Sequence, residues 1–288
     1  MSMQTISWTE YTDPNYQLPT VNCQLAITIG VFDGVHLGHQ ALIQRICAPS
    51  ATHPLSTVVT FRQNPLQILK PRDFPGDIFS FGQKMRVFEE MGVQQLVVID
   101  FSENFSTISG RDFIDLLLRS SQVKFLALGR NFRCGCGLDT GVREIVEQAA
   151  ARGVETWVAD PVLENGRPIS SSRIRQAIAA GDIAEAARLL GRNVEIDLAG
   201  LPADISFPNG ALCRSYDAAA AFRITPNGRY RACVFGCNAA TGCDATADNS
   251  VNGTEADISI TDGKILISAA EGTDQFIPQR IELLRCTQ

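Results

Sequence analysis

From residue 25 to residue 190 the chain alternates short, nearly continuous apolar runs with longer amphipathic stretches. This alternation constrains the fold more than any other feature. The runs 25–30, 57–61, 95–99, 124–129 and 154–159 have the length of buried strands and few polar breaks. Segments 39–47, 80–91, 110–120, 140–152 and 171–190 read as helices or helix pairs. A β–α alternation of this kind predicts an α/β fold of Rossmann-like type, a mostly parallel sheet with helices on both faces. Ligand groups in such a sheet gather beyond the carboxyl ends of the strands.

The pattern changes near residue 193. Short segments around 219–224, 229–235, 255–260, 264–268 and 279–285 are separated by Gly, Asn and Pro turns, which predicts a small β-barrel-like domain. Two domains are therefore expected, 1–192 and 193–288, and 288 residues suffice for both. A net charge of −6 supplies no basic footprint for nucleic acid. Nine cysteines, an odd number without a basic-plus-apolar export signal, fit a reducing cytoplasm. The apolar runs are too short to cross a bilayer. The expectation is a soluble cytoplasmic protein that meets small molecules rather than nucleic acid or membrane.

The first apolar run leads into Gly30-Val31-Phe32-Asp33-Gly34-Val35-His36-Leu37-Gly38-His39. Gly30 and Gly34 let the backbone pass close to a ligand. His36 and His39 are three residues apart and share a helix face, where first-turn N–H groups and the helix dipole favour an anion. Two of the chain's three histidines occupy this one turn, which points to a phosphoryl group whose negative charge grows during transfer. A zinc site is not expected, because no cysteine or carboxylate cluster follows at ligand spacing. Both the Gly-x-x-x-x-Gly-Lys-Ser/Thr loop and the dinucleotide Gly-x-Gly-x-x-Gly pattern are absent. Nucleotide use then need not mean kinase or hydride-transfer chemistry.

Ile169-Ser170-Ser171-Ser172-Arg173-Ile174-Arg175 offers hydroxyls to cap a helix, and arginines to reach phosphate oxygens. It is read as the far wall of a triphosphate site. Gly129-Arg130-Asn131-Phe132-Arg133 follows a predicted strand at the same end of the sheet. Asn131 is either a turn residue or an amide presented to a ligand, and Phe132 packs on a planar ring or closes the core. Cys134 and Cys136 lack the redox Cys-x-x-Cys spacing and read as buried or incidental thiols.

These segments, with Thr60-Phe61 and Asn64-Pro65, resemble in order and spacing the bifunctional riboflavin kinase/FMN adenylyltransferase family, the bacterial-type FAD synthetases. The resemblance covers approximately residues 20–190. It implies adenylyl transfer from ATP to FMN, giving FAD and pyrophosphate by direct attack of the FMN phosphate. By carry-over, His36 and His39 would hold and neutralise ATP phosphates, with Asn131 near the reacting atoms. Ser171, Ser172 and Arg173 would secure the ATP tail, and Phe61 and Phe132 would lie near the flavin. Gly30, Phe32, Asp33, Gly34 and Asn64 carry over as further substrate-binding positions. Mg2+ would arrive mainly through the ATP phosphates. Because FMN brings an ionised phosphate, no general base is needed, and Asp33 is read as a turn-organising or helix-capping residue.

Two departures stand out. Family members commonly carry Thr-Phe-Asp-Pro-His-Pro, where this chain has Thr60-Phe61-Arg62-Gln63-Asn64-Pro65. The Gly-x-Pro-Thr-Ala-Asn signature of the riboflavin kinase module is replaced by Ile205-Ser206-Phe207-Pro208-Asn209-Gly210, and no late Glu-x-x-x-Leu-Asp-Phe region follows. The β domain is therefore read as a diverged kinase module without riboflavin phosphorylation, retained for packing, self-association or partner binding. The alternatives are a non-catalytic flavin- or nucleotide-binding regulator, and an adenylyltransferase for another small phosphate such as phosphopantetheine.

Overall fold

The computed structural model describes residues 3–15, 24–48, 54–101, 103–119, 122–207, 212–218, 227–238, 253–268 and 276–287. It divides into two compact units, Met1–Phe74 with Phe81–Ile169, and Pro75–Ser80 with Ser170–Gln288.

The first unit begins β1 (Gln4–Ser7), α1 (Trp8–Thr12), β2 (Leu25–Ile29), α2 (Leu37–Cys47), β3 (Leu55–Phe61), α3 (Pro65–Leu69), α4 (Phe81–Glu90), β4 (Gln95–Ile99). It continues α5 (Glu103–Ser106), α6 (Gly110–Leu117), β5 (Val123–Gly129), β6 (Arg133–Cys134), β7 (Thr140–Gly141), α7 (Val142–Ala150) and β8 (Glu155–Ala159). A short hairpin of β9 (Leu163–Glu164) and β10 (Arg167–Pro168) closes it.

Six strands form one wholly parallel sheet in the order β1-β4-β3-β2-β5-β8. Every residue of β2 and β4 is buried, as strands covered on both faces require. Leu25, Ile27 and Ile29 pack with Phe113, Ile114 and Leu117 of α6 and with Ile145 and Ala149 of α7. The alternate residues Ala26 and Thr28 face the other way. The buried Thr28 hydroxyl is satisfied by donating to the Ala127 carbonyl at 2.9 Å. From β2 the chain builds outward through β3 and β4, then returns to add β5 and β8 on the other side. That reversal makes the gap beside the end of β2 a topological switch point, where open α/β sheets bind ligands.

The predicted α/β class and its five strands are all present. β1, a sixth strand at the sheet edge, was not expected.

The second unit starts with α8 (Ser171–Ala179) and α9 (Ile183–Leu190). Its strands are β11 (Val194–Asp197), β12 (Asp204–Ser206), β13 (Cys213–Asp217), β14 (Gly228–Asn238), β15 (Thr254–Thr261), β16 (Lys264–Ser268) and β17 (Phe276–Cys286). They make an antiparallel sheet in the order β11-β17-β14-β15-β16-β13-β12. Four of the expected segments fall within β14 to β17, while 219–224 lies outside the described residues. The expected boundary stood at 192/193, whereas the units part at Ile169/Ser170. The reason is apolar: Ile183, Ala186, Leu189 and Leu190 of α9 are buried, and α9 packs on β11 and β17. Segment 75–80 joins this unit through Arg175 Nε, which donates to the Gly76 carbonyl at 2.8 Å. Ser80 Oγ also donates to Asp197 Oδ2 at 2.6 Å. Among the described residues no helix is long and apolar enough to cross a membrane.

Candidate active site

Beyond β2 the chain folds tightly before α2 begins. Gly30 N–H still donates to the Val59 carbonyl at 3.1 Å, and then Phe32, Gly34 and Val35 all take positive φ, at 52°, 76° and 37°. Such angles are rare for an aromatic and rarer for a β-branched residue, so the surroundings hold this turn in a strained form. Asp33 is buried at the start of the 3₁₀ turn Asp33–Val35. It does not cap α2, whose N-cap is His36.

His36 Nδ1 accepts the His39 backbone N–H at 3.3 Å, which leaves the ring proton of the neutral imidazole on Nε2. The two imidazoles stack, with centroids 3.6 Å apart and planes 16° from parallel. Burial pushes His36 down to about 4. His39 is also held well below the usual imidazole range, by burial first, then by His36 and Lys84. Among the described residues His39 Nδ1 is a buried atom with no hydrogen-bond partner. Both rings are therefore neutral near pH 7, and an arriving polyanion favours their charged forms.

The neighbouring strand end carries the second motif. Phe61 ends β3, with its ring edge-on to Phe101 at 5.8 Å. Arg62, the cation standing where the family pattern has a carboxylate, pairs with Asp100 at 2.7 Å and lies over the Phe81 ring at 5.1 Å. Both partners of this pair are at least half exposed, so it orients Arg62 more than it stabilises the fold. Asn64 caps α3: its Oδ1 accepts the Leu66 N–H at 3.1 Å, with Pro65 in the first turn. Gln63 Oε1 is buried and meets no partner among the described residues.

Sequence reasoning missed Lys84. It is 5% exposed, and its ammonium donates to the Phe61 carbonyl at 3.0 Å and the Val31 carbonyl at 3.4 Å. The signal was a lysine on the apolar stripe of α4, in line with Val87 and Phe88.

At the end of β5, Arg130 N–H donates to the Ala159 carbonyl at 3.0 Å and the Arg130 side chain pairs with Asp160. Asn131 is exposed in the following turn, and Phe132 is half-buried against the core. Cys134 is buried, and burial with nearby Asp139 pushes its thiol up to about 12, the state of an inert structural cysteine.

In the second unit Ser170 caps α8 by accepting the Arg173 N–H at 3.3 Å. Ser171 and Ser172 form the first turn of α8, half-buried and exposed respectively. Arg173 is buried and directs Nη2 and Nε onto Glu185 Oε1, at 2.7 and 3.0 Å. Arg175 is directed to the Gly76 carbonyl.

The model of the family described as FAD synthetase matches residues 18–173, more than half of the chain, and takes in the β2–α2 turn, the strand-end loops and the start of α8. The chain belongs to the FAD synthetase family. Curated relatives of this chain carry the name bifunctional riboflavin kinase/FMN adenylyltransferase. That of Escherichia coli K12 is 34% identical over 177 residues, 61% of this chain and 56% of the relative. That of Buchnera aphidicola from Acyrthosiphon pisum is 30% identical over 179 residues, 62% of this chain and 57% of the relative. The match thus spans less than three-fifths of these relatives. A crystal structure of a Streptococcus pneumoniae protein described as a macrolide-efflux protein superposes with a TM-score of 0.77 at 19% identity, over 99% of this chain and 91% of that one. At that identity the likeness shows the fold alone.

Proposed function

We propose that this member of the FAD synthetase family is an FMN adenylyltransferase that transfers AMP from MgATP to FMN and releases pyrophosphate. The observation that carries the proposal is the stacked His36–His39 pair at the head of α2, beside the switch point, with a buried His39 nitrogen that has no hydrogen-bond partner among the described residues. Such a pair suits a ligand that brings several negative charges into a protected turn. An FMN phosphate oxygen attacks the ATP α-phosphorus, the bond from that phosphorus to the bridging oxygen breaks, and pyrophosphate leaves with the electron pair. The attacking phosphate is already ionised, so catalysis is alignment and charge stabilisation.

In this reading His36 and His39 take the polyphosphate, and the exposed Asn131 amide lies near the reacting atoms. Ser171, Ser172 and Arg173 secure the ATP tail, with Glu185 fixing the guanidinium. Phe61 and Phe132 meet the flavin. Among the described residues no three His, Cys, Asp or Glu side chains gather as a metal site, and magnesium is read as part of the substrate MgATP. Residues 205–210 lack Thr-Ala-Asn, which supports a reading without riboflavin kinase activity.

The test is a chromatographic time course with MgATP and either FMN or riboflavin, with pyrophosphate measured alongside. The proposal expects FAD and matching pyrophosphate from FMN, and no product from riboflavin. Product from riboflavin would restore the kinase step, and no turnover of FMN would overturn the adenylyltransferase reading. His36→Ala is expected to lower kcat/KM by about 100-fold, in the range for one lost transition-state contact. An unchanged kcat/KM would remove His36 from the mechanism.

A further inference from the structure

We propose that Lys84 is a positioning residue of this site: its ammonium, lodged between the Val31 and Phe61 carbonyls, sets the separation of the β2–α2 turn from the β3–α3 loop. The inference rests on the adenylyl-transfer reading, in which one loop holds ATP and the other approaches FMN.

A buried ammonium is expensive, and a methionine would fill much of the same volume without that penalty. What Lys84 supplies is a pair of bonds that no apolar residue can make, one to the main chain of the β2–α2 turn and one to the last residue of β3, where the β3–α3 loop begins. The Val31 carbonyl also accepts the Thr60 hydroxyl at 3.3 Å, so β3 and α4 converge on one oxygen. The residue after that oxygen is the left-handed Phe32. Its ring meets Phe88, one turn along α4 from Lys84, edge-on at 5.6 Å, and meets His39 at 5.2 Å. Helix α4 therefore grips the turn twice, by its backbone through Lys84 and by its side chain through Phe88. Such over-determination is what lets a strained turn persist. The same helix reaches the second loop, since Phe81 lies under Arg62 and 5.5 Å from the Lys84 ammonium.

The test compares the 288-residue parent with Lys84→Met, Lys84→Gln, Thr60→Val and the Thr60→Val/Lys84→Gln double variant. Lys84→Met is expected to lower kcat about 100-fold, the effect of a misplacement near 1 Å, while KM for both substrates stays within about threefold. Lys84→Gln, which keeps a neutral donor, should lose about tenfold, and Thr60→Val about threefold. The double variant should lose less than the product of its parents, because both donors serve the Val31 carbonyl. A folded Lys84→Met with full kcat, a loss confined to KM, or independent losses in the double variant would overturn the proposal.

Amide hydrogen exchange reads the same idea without turnover. In Lys84→Gln the amides of 31–36 and 62–64 should exchange at least about tenfold faster, with those of α6 and α7 unchanged. Unchanged or uniformly faster exchange would overturn it, including when Lys84→Met does not fold. A parent that makes no FAD defeats the adenylyltransferase reading instead, and the exchange data still decide the role of Lys84.

Discussion

His36 shows how burial and function pull one side chain in opposite directions. His36 is 6% exposed, and that burial pushes its imidazole down to about 4 from the usual 6.5. Between those pH values the unfolded chain binds a proton that the folded chain excludes, so stability is fully present above pH 6.5 and is lost as pH falls toward 4. The share from His36 is on the order of 3 kcal/mol. Denaturant unfolding at pH 7 and pH 4.5 should show His36→Asn, which keeps an N-cap acceptor, losing less stability on acidification than the parent. An equal loss in both proteins would mean that His36 is not the buried titrating group. The three-residue spacing of the histidines was legible in the sequence, and so was a turn beneath them. Their neutral, stacked state was not, because it depends on burial and on tertiary contacts such as the Phe32 ring set edge-on to His39. Arg173 makes the same point, since its partner Glu185 lies in the next helix and no local pattern links them.

Elements were legible where one period dominates. The five expected strands of the parallel sheet are continuous apolar runs, and their positions agree to within about two residues, the usual uncertainty of element ends. β1 escaped because it has four residues, of which only Ile6 is buried. The hairpin of β6 and β7 escaped because its pairing is set by a close approach. Gly135, at φ 85°, sits where a Cβ would overlap the Gly110 backbone at the start of α6, while Gly137, at φ 65°, faces open space. Gly137→Ala should cost about 1 kcal/mol, the price of left-handed backbone alone. Gly135→Ala should cost about 3 kcal/mol or more, because the hairpin must also leave α6. Equal losses in urea titrations would show that the contact with Gly110 contributes nothing.

For the whole molecule, the sequence located both architectures, and the change of pattern near residue 193 set the expected boundary between them. α8 carries the Ser-Ser-Arg segment at the end of the family match, yet the apolar face of α9 is buried on β11 and β17. A fragment ending at residue 192 should expose that face, at a loss on the order of 5 kcal/mol. It is expected to bind a hydrophobic dye and to unfold without the cooperativity of the full chain; a monomeric fragment with a sharp transition and no dye binding would refute this. The sheet order also has a temporal side. Among the described residues β1 pairs with β4 alone, in the register Gln4↔Gln95, so its partner is more than eighty residues downstream. At about 5–20 residues per second, a nascent chain carries that first strand unpaired for several seconds before its docking edge has been synthesised. In the cell, the first strand of this sheet to be made waits for the fourth before it can dock.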